Sequence, residues 1–403
     1  MFSTDELEKY ARVMIWGMQK ARKDPFVKND IVLVRSDKSC APLANLLYEN
    51  LIRMGINPVV RINLPEEMEK TFFSNAADHQ LEFRIPGDEE LYSALNGLIS
   101  LLGPESLTHL RDIDPSRIGK YAVTKKYLRD ILEKRESKGL FGWSLCLYPT
   151  LELASKADLS VEEYREQIVK AVYLDNDDPV EVWQGIFEKS GKAKDWLDSL
   201  DVVYFHVLSE NTDLRVYPGI KRRWLGVSGH NIPSFELFLS PDCRMTNGVF
   251  YADQPSYRSG NYVRGVRLEF RDGRVVASSA EEGEDFLSKQ LELDAGASYL
   301  GEFSLTDKRF SRIDKFMAHT LYDENFGGPN GNCHVALGAS YADTYASDSG
   351  EELSPDLKKE LGFNDSALHW DLVSTEKKTV YAYLKNGDKI TIYDDGMFAM
   401  EDL

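Results

Sequence analysis

The segment Asp30–Leu64 constrains the fold of this chain more tightly than any other. Asp30-Ile31-Val32-Leu33-Val34-Arg35 is a short apolar strand signal, and Pro58–Leu64 is a second one. Between them, Ser39–Gly55 carries Leu43, Leu46, Leu47, Leu51 and Met54 at helical spacing, with Gly55 as a natural stop. A strand–helix–strand unit of this length predicts a parallel pair joined by a right-handed crossover. Ahead of it, Ser3-Thr4-Asp5-Glu6 offers caps for a helix with Leu7, Tyr10, Ala11, Met14 and Ile15 on one stripe. Residues 90–102 read as a further helix and Tyr121-Ala122-Val123-Thr124 as a strand. The first half is therefore expected to be an α/β domain with a parallel sheet.

Such units invite a nucleotide-binding reading, but no Gly-x-Gly-x-x-Gly follows the first strand. The turn is Ser36-Asp37-Lys38-Ser39, whose side chains crowd the backbone approach that a pyrophosphate requires. Further on, Ser160-Val161-Glu162-Glu163 is a capping box that opens a helix. Asp175-Asn176-Asp177-Asp178-Pro179 is an acidic turn. It does not make a calcium loop, because Val180 stands where glycine is needed and Ile186 where the bidentate glutamate is needed.

After about residue 200 the pattern changes to short alternating runs separated by turns. Val202–Val207, Val263–Phe270 and Thr379–Leu384 are examples, and Arg271-Asp272-Gly273-Arg274 and Lys385-Asn386-Gly387-Asp388 are hairpin turns. A chain of 403 residues exceeds one ordinary core. The expected division is an α/β domain over 1–205 and an α+β, mostly antiparallel domain over 206–403.

The formal net charge of -18 opposes a polyanionic partner, so nucleic acid is not expected. The densest basic cluster, Lys221-Arg222-Arg223, reads as a solvated turn. The start of the chain lacks the basic and apolar regions of a signal peptide, and no apolar run approaches the ~20 residues of a membrane span. Cys40, Cys146, Cys243 and Cys333 are scattered, without the spacing of a thiolate metal knot. A cytoplasmic protein without a membrane partner is expected.

The chemistry-bearing residues gather in the second half. Glu236 follows the loop Asn231–Phe235, Glu302 sits inside an apolar run, and Glu324 heads a glycine-rich loop that leads to His334. His369-Trp370-Asp371 places a histidine and a carboxylate on one face of an extended segment, because strand side chains repeat every two residues. Taken singly, each has an ordinary reading as an exposed acid, an ion pair or a satisfied core histidine. Carboxylates inside apolar runs are costly, and metal coordination is one way to offset the cost.

The order and wording of these segments resemble the thermophilic metallo-aminopeptidase family, the aminopeptidase T family. The matching pieces are Asn231–Phe238, Leu300-Gly301-Glu302-Phe303, Thr320–Asn325, Cys333–Tyr341 and His369-x-Asp371, with weaker similarity at Leu147–Thr150 and Thr212–Leu214. The resemblance implies a metal-dependent aminopeptidase that removes N-terminal residues from peptides through a water activated by two divalent ions. Zinc, cobalt, manganese and magnesium all suit such a donor set. It implies Glu236, Glu302, Glu324, His334, His369 and Asp371 as metal ligands, Glu302 and Glu324 bridging, and Tyr341 as a hydrogen-bond donor to the developing oxyanion. Short peptides as substrates and a homodimer are implied with it. Two departures stand out. Phe326–Asn332 lengthens the link between two of the ligands, and Leu372-Val373-Ser374 replaces the family's apolar run. The alternatives are a metallohydrolase of another class, an amidase or esterase, and a non-catalytic metal-binding relative.

Overall fold

In the computed structural model of the protein, described for residues 1–258, 260–347, 353–400 and 403, the chain forms two compact units. One comprises Met1–Trp183 with Ser228–Pro233, the other Gln184–Val227 with Ser234–Leu403. The change in sequence pattern near 205 marks where the strands begin. The units themselves divide within the helix Pro179–Asp198, and the chain returns to the first unit once more.

The first unit is built on a five-stranded sheet in the order Asn57–Ile62, Ile31–Ser36, Gly97–Leu102, Gly142–Leu147, Asn231–Ile232. Every pairing in it is parallel. The helix Ala41–Arg53 makes the crossover between the first two strands, burying Leu43, Leu47 and Leu51. The helix Thr4–Lys20 opens on a capping box between Ser3 and Glu6. Gly17 on that helix meets Gly229 so closely that a Cβ on Gly17 would lie 2.7 Å from the Gly229 carbonyl oxygen, so only glycine fits there. The Asp175–Pro179 segment is a turn in which the Asp178 carboxylate accepts from Val180 N at 3.1 Å.

Two local expectations are overturned. Residues 90–102 are not one helix: Asp88–Ala94 is helical and Gly97–Leu102 is a strand. That strand lies inside the parallel sheet with both faces covered, so its sequence lacks the alternation that would have marked it. Tyr121–Thr124 lies within the helix Pro115–Ser137, capped by Asp114, and long-range helix formation overrides the local β-branched signal.

The second unit holds an eight-stranded sheet and a four-stranded sheet, both antiparallel. The hairpin of Val266–Arg271 with Arg274–Ser279 turns through Asp272 and Gly273, both at positive φ (47° and 80°). The shorter sheet runs Glu236–Leu239, Leu300–Thr306, Asn332–Gly338, His369–Ser374. Leu237, Leu239, Phe303, Leu305, Val335, Leu337 and Leu372 alternate onto one face of it and join a single core with Phe205, Val207, Leu214 and Phe250 of the longer sheet. The ring of Phe303 stacks 5.7 Å from that of Phe205.

Of the basic cluster, Lys221 and Arg223 are exposed as expected, but Arg222 is not simply solvated. The Arg222 guanidinium lies 3.5 Å from the centre of the Phe363 ring and donates to the Ser240 and Leu361 carbonyls, and burial lowers its pKa to about 10. All four cysteines are free and buried. Among the described residues no helix is long and apolar enough to cross a membrane.

Candidate metal centre

The alternation that sends the apolar side chains of the short sheet into the core puts Glu236, Glu302, His334, His369 and Asp371 on its other face. In register, Glu302 pairs with Ala336 and Ala336 with Asp371, while His334 pairs with Ser304 and Gly338 with His369. The register shift at Gly301 reaims the edge of the Glu302 strand. The small side chain of Ala336 leaves space between the two carboxylates beside it.

His334 is buried, with Nε2 at 3.1 Å from Glu236 Oε2 and 3.1 Å from Glu302 Oε1. His369 Nδ1 donates to the Ala339 carbonyl at 3.0 Å, which frees Nε2 to face Asp371 Oδ1 at 3.4 Å and Glu302 Oε2 at 3.7 Å. Glu324 follows the helical turn Thr320–Asp323, and its carbonyl accepts from the Asn332 side chain at 3.0 Å. Glu302 therefore links the two histidines through its two oxygens.

The electrostatics are those of crowded buried acids. Burial, with the Glu236 charge beside it, raises Glu302 to about 7 against the hydrogen bond from His334. Burial and the charges of Glu236, Asp371 and Glu302 raise Glu324 well above the carboxylate range. Burial would also raise Asp371, but His369, His334 and Arg258 outweigh it and hold it at about 2. His369 rises to about 9, because Asp371 and Glu302 overcome the effect of burial. Tyr341 presents part of its ring to solvent (45% exposed), 4.6 Å from the His369 ring. Its hydroxyl is raised by desolvation and by Glu302, Asp371, Glu324 and Glu236.

These residues fit divalent cations. The ligand atoms of Glu236, Glu302 and His334 lie within 4.8 Å of one another. Donors bonded to one ion at ~2.0–2.1 Å in a tetrahedron sit about 3.3 Å apart, close to the separations of His334 Nε2 from the two glutamates. Glu302 Oε2 and His334 Nδ1 are buried without a hydrogen-bond partner. Four carboxylates and two imidazoles crowd one face, the raised acids show how costly their joint ionisation is without a cation, and mixed oxygen and nitrogen donors suit zinc, cobalt, manganese or magnesium.

Sequence reasoning had not singled out the supports of this face. Asn325 accepts from Phe235 N at 2.6 Å and donates to the Leu321 carbonyl at 3.0 Å, tying the backbone before Glu236 to the turn that carries Glu324. Ser304 Oγ donates to Glu236 Oε2 at 3.1 Å. Arg258 meets three consecutive residues: it donates to the His369 carbonyl at 2.7 Å, lies 5.8 Å from the Trp370 ring, and its charge acts on Asp371. Asn325 was visible in its motif. Arg258 lies more than 100 positions from the residues it holds, and no local signal marks it.

The sequence matches the family model described as Thermophilic metalloprotease (M29) over residues 3–398. Aminopeptidase 2 of Geobacillus stearothermophilus is 31% identical over 425 aligned positions that cover 98% of each chain. Aminopeptidase AmpS of Bacillus subtilis (strain 168) is 25% identical over 92% of this chain and 94% of its own. The solved structure of wild-type AmpT from Thermus thermophilus aligns with a TM-score of 0.80 at 20% identity, covering 98% of this chain and 99% of that one. The latter likeness establishes a shared fold, with a parallel five-stranded sheet and separate antiparallel sheets.

Proposed function

The chain belongs to the thermophilic metalloprotease family M29, and from that premise we propose that it is a metal-dependent aminopeptidase that removes N-terminal residues from short peptides. The observation that carries the reading is the convergence of Glu236, Glu302 and His334 on one buried point, flanked by Glu324, His369 and Asp371. Relatives that match nearly the whole chain are named aminopeptidases.

In this reading Glu236, Glu302, Glu324, His334, His369 and Asp371 would hold two divalent ions. When bound, the ions supply Lewis acidity toward the scissile carbonyl and make water acidic enough to serve as nucleophile near neutral pH. The protein's own groups orient and neutralise. Glu302, reaching both His334 and His369 through its two oxygens, fixes the spacing of the two halves of the site. Tyr341, kept protonated by desolvation and by the surrounding acids, donates a hydrogen bond to the oxygen on which charge develops. His369 is held in the right tautomer by the Ala339 carbonyl. A homodimer acting in the cytoplasm completes the proposal.

Protein reloaded with cobalt or zinc is expected to hydrolyse leucyl-p-nitroanilide and to ignore its Nα-acetyl derivative. Equal hydrolysis of the two would move the assignment to an amidase or esterase.

A further inference from the structure

The first unit contains a cavity of about 320 Å³ that none of the chemistry above uses. It lies at the carboxyl ends of three parallel strands. Asp37 follows Ile31–Ser36, Asn63 and Leu64 follow Asn57–Ile62, and Pro104 comes just after Gly97–Leu102. The central strand pairs with Asn57–Ile62 on one side and with Gly97–Leu102 on the other, so the direction of winding reverses here. Open α/β sheets bind ligands in such crevices, and cavities of ~300 Å³ suit one small ligand.

The lining decides which ligand. Asp37 is the built floor: its carboxylate accepts from Gly103 N at 2.7 Å and from the Asn63 side chain at 2.6 Å, tying the strand ends together. Glu66 accepts from Glu105 N at 2.6 Å, and Glu69 meets His109 Nε2 at 2.7 Å, with His109 Nδ1 donating to the Ser106 carbonyl. No lysine or arginine lines the cavity, although Lys38 borders a smaller adjoining hollow. Opposite the acids stands an apolar wall. Phe72, Phe73 and Tyr121 pack edge to face with ring centres 5.3 to 5.6 Å apart. Three carboxylates, of which Glu69 alone is offset by His109, disfavour phosphate, and the aromatic wall disfavours a bare, hydrated metal ion. A group that satisfies both sides has a positive head and an apolar stem.

We propose that this cavity binds a small organic cation, an ammonium or guanidinium on an apolar stem, of the kind a basic peptide residue carries. The acids take the head and the three rings take the stem. This site is separate from the metal centre and does not depend on the aminopeptidase reading.

The test is calorimetric titration of the intact, metal-loaded protein with Nα-acetyl-argininamide and Nα-acetyl-lysinamide. Both have a blocked α-amine, which keeps them from acting as aminopeptidase substrates. Saturable binding of at least one is expected, weakening with added salt, and Nα-acetyl-norleucinamide is expected not to bind. The double variant Glu66→Gln/Glu69→Gln should weaken binding about tenfold or more while peptidase activity and the melting temperature stay close to the parent. Should that variant misfold, Ser106→Phe, which fills the cavity and keeps all three acids, is expected to abolish binding. No saturable binding, equal binding of the norleucine compound, or binding unchanged in both variants would overturn the proposal.

Discussion

Glu302 and Asp371 stand in register on either side of Ala336, one strand apart from it in each direction. The buried methyl group between them is the smallest side chain that keeps the strand regular, and it sets the room available for cations between the carboxylates. Ala336→Val adds two methyl groups on the ligand face. Activity is expected to fall at least about tenfold, with a stability loss of about 1–3 kcal/mol from overpacking. Kinetics with excess metal and a denaturant titration check both parts, and unchanged activity would show that the space is not needed.

Asn325→Ala removes the acceptor of Phe235 N and the donor to Leu321. Leaving a buried N–H without a partner costs about 1–3 kcal/mol. Because the same side chain aligns Glu236 with Glu324, metal affinity should fall as well. Chelator competition, run beside thermal melting, separates the two effects.

Arg258→Met removes the donor to the His369 carbonyl and the positive charge that helps keep Asp371 ionised. Loss of an outer support of this kind lowers metal affinity by roughly 10–100-fold. Arg258→Lys restores the charge without the planar fork, so it should recover only part of the affinity. Equal affinities for the parent and both variants would remove Arg258 from the account.

Lys378 is 2% exposed, its Nζ 3.4 Å from the carbonyls of Asn330 and Gly331, and burial lowers its pKa to about 8. Between that value and the ~10.4 of an unfolded lysine, the unfolded chain binds more protons. Stability from this group therefore rises as pH increases from about 8 toward 10 and is least below 8. Lys378→Met should flatten that rise. Parallel denaturant titrations of parent and variant across this range measure it, and identical slopes would refute it.

The strand–helix–strand unit at 30–64 was legible because both periodicities and the glycine stop lie within one short stretch. The strand Gly97–Leu102 was not, because burial on both faces erases the alternation by which a strand is read. At the site, ordered motifs pointed to Glu236, Glu302, Glu324, His334, His369 and Asp371, and the sheet register then placed the five strand-borne ones on a common face. Ala336, Ser304 and Arg258 matter through pairing and packing between distant segments, which no local pattern records. Arg222 misled for the same reason: its partners Ser240, Leu361 and Phe363 lie far along the chain.

Anomalous diffraction from crystals loaded with zinc or cobalt tests the central claim most directly. The account predicts two peaks about 3.5–4 Å apart, within bonding distance of Glu236, Glu302, Glu324, His334, His369 and Asp371, with Glu302 reaching both. A single peak, or peaks that leave Glu302 and His334 without a bonded ion, would contradict it.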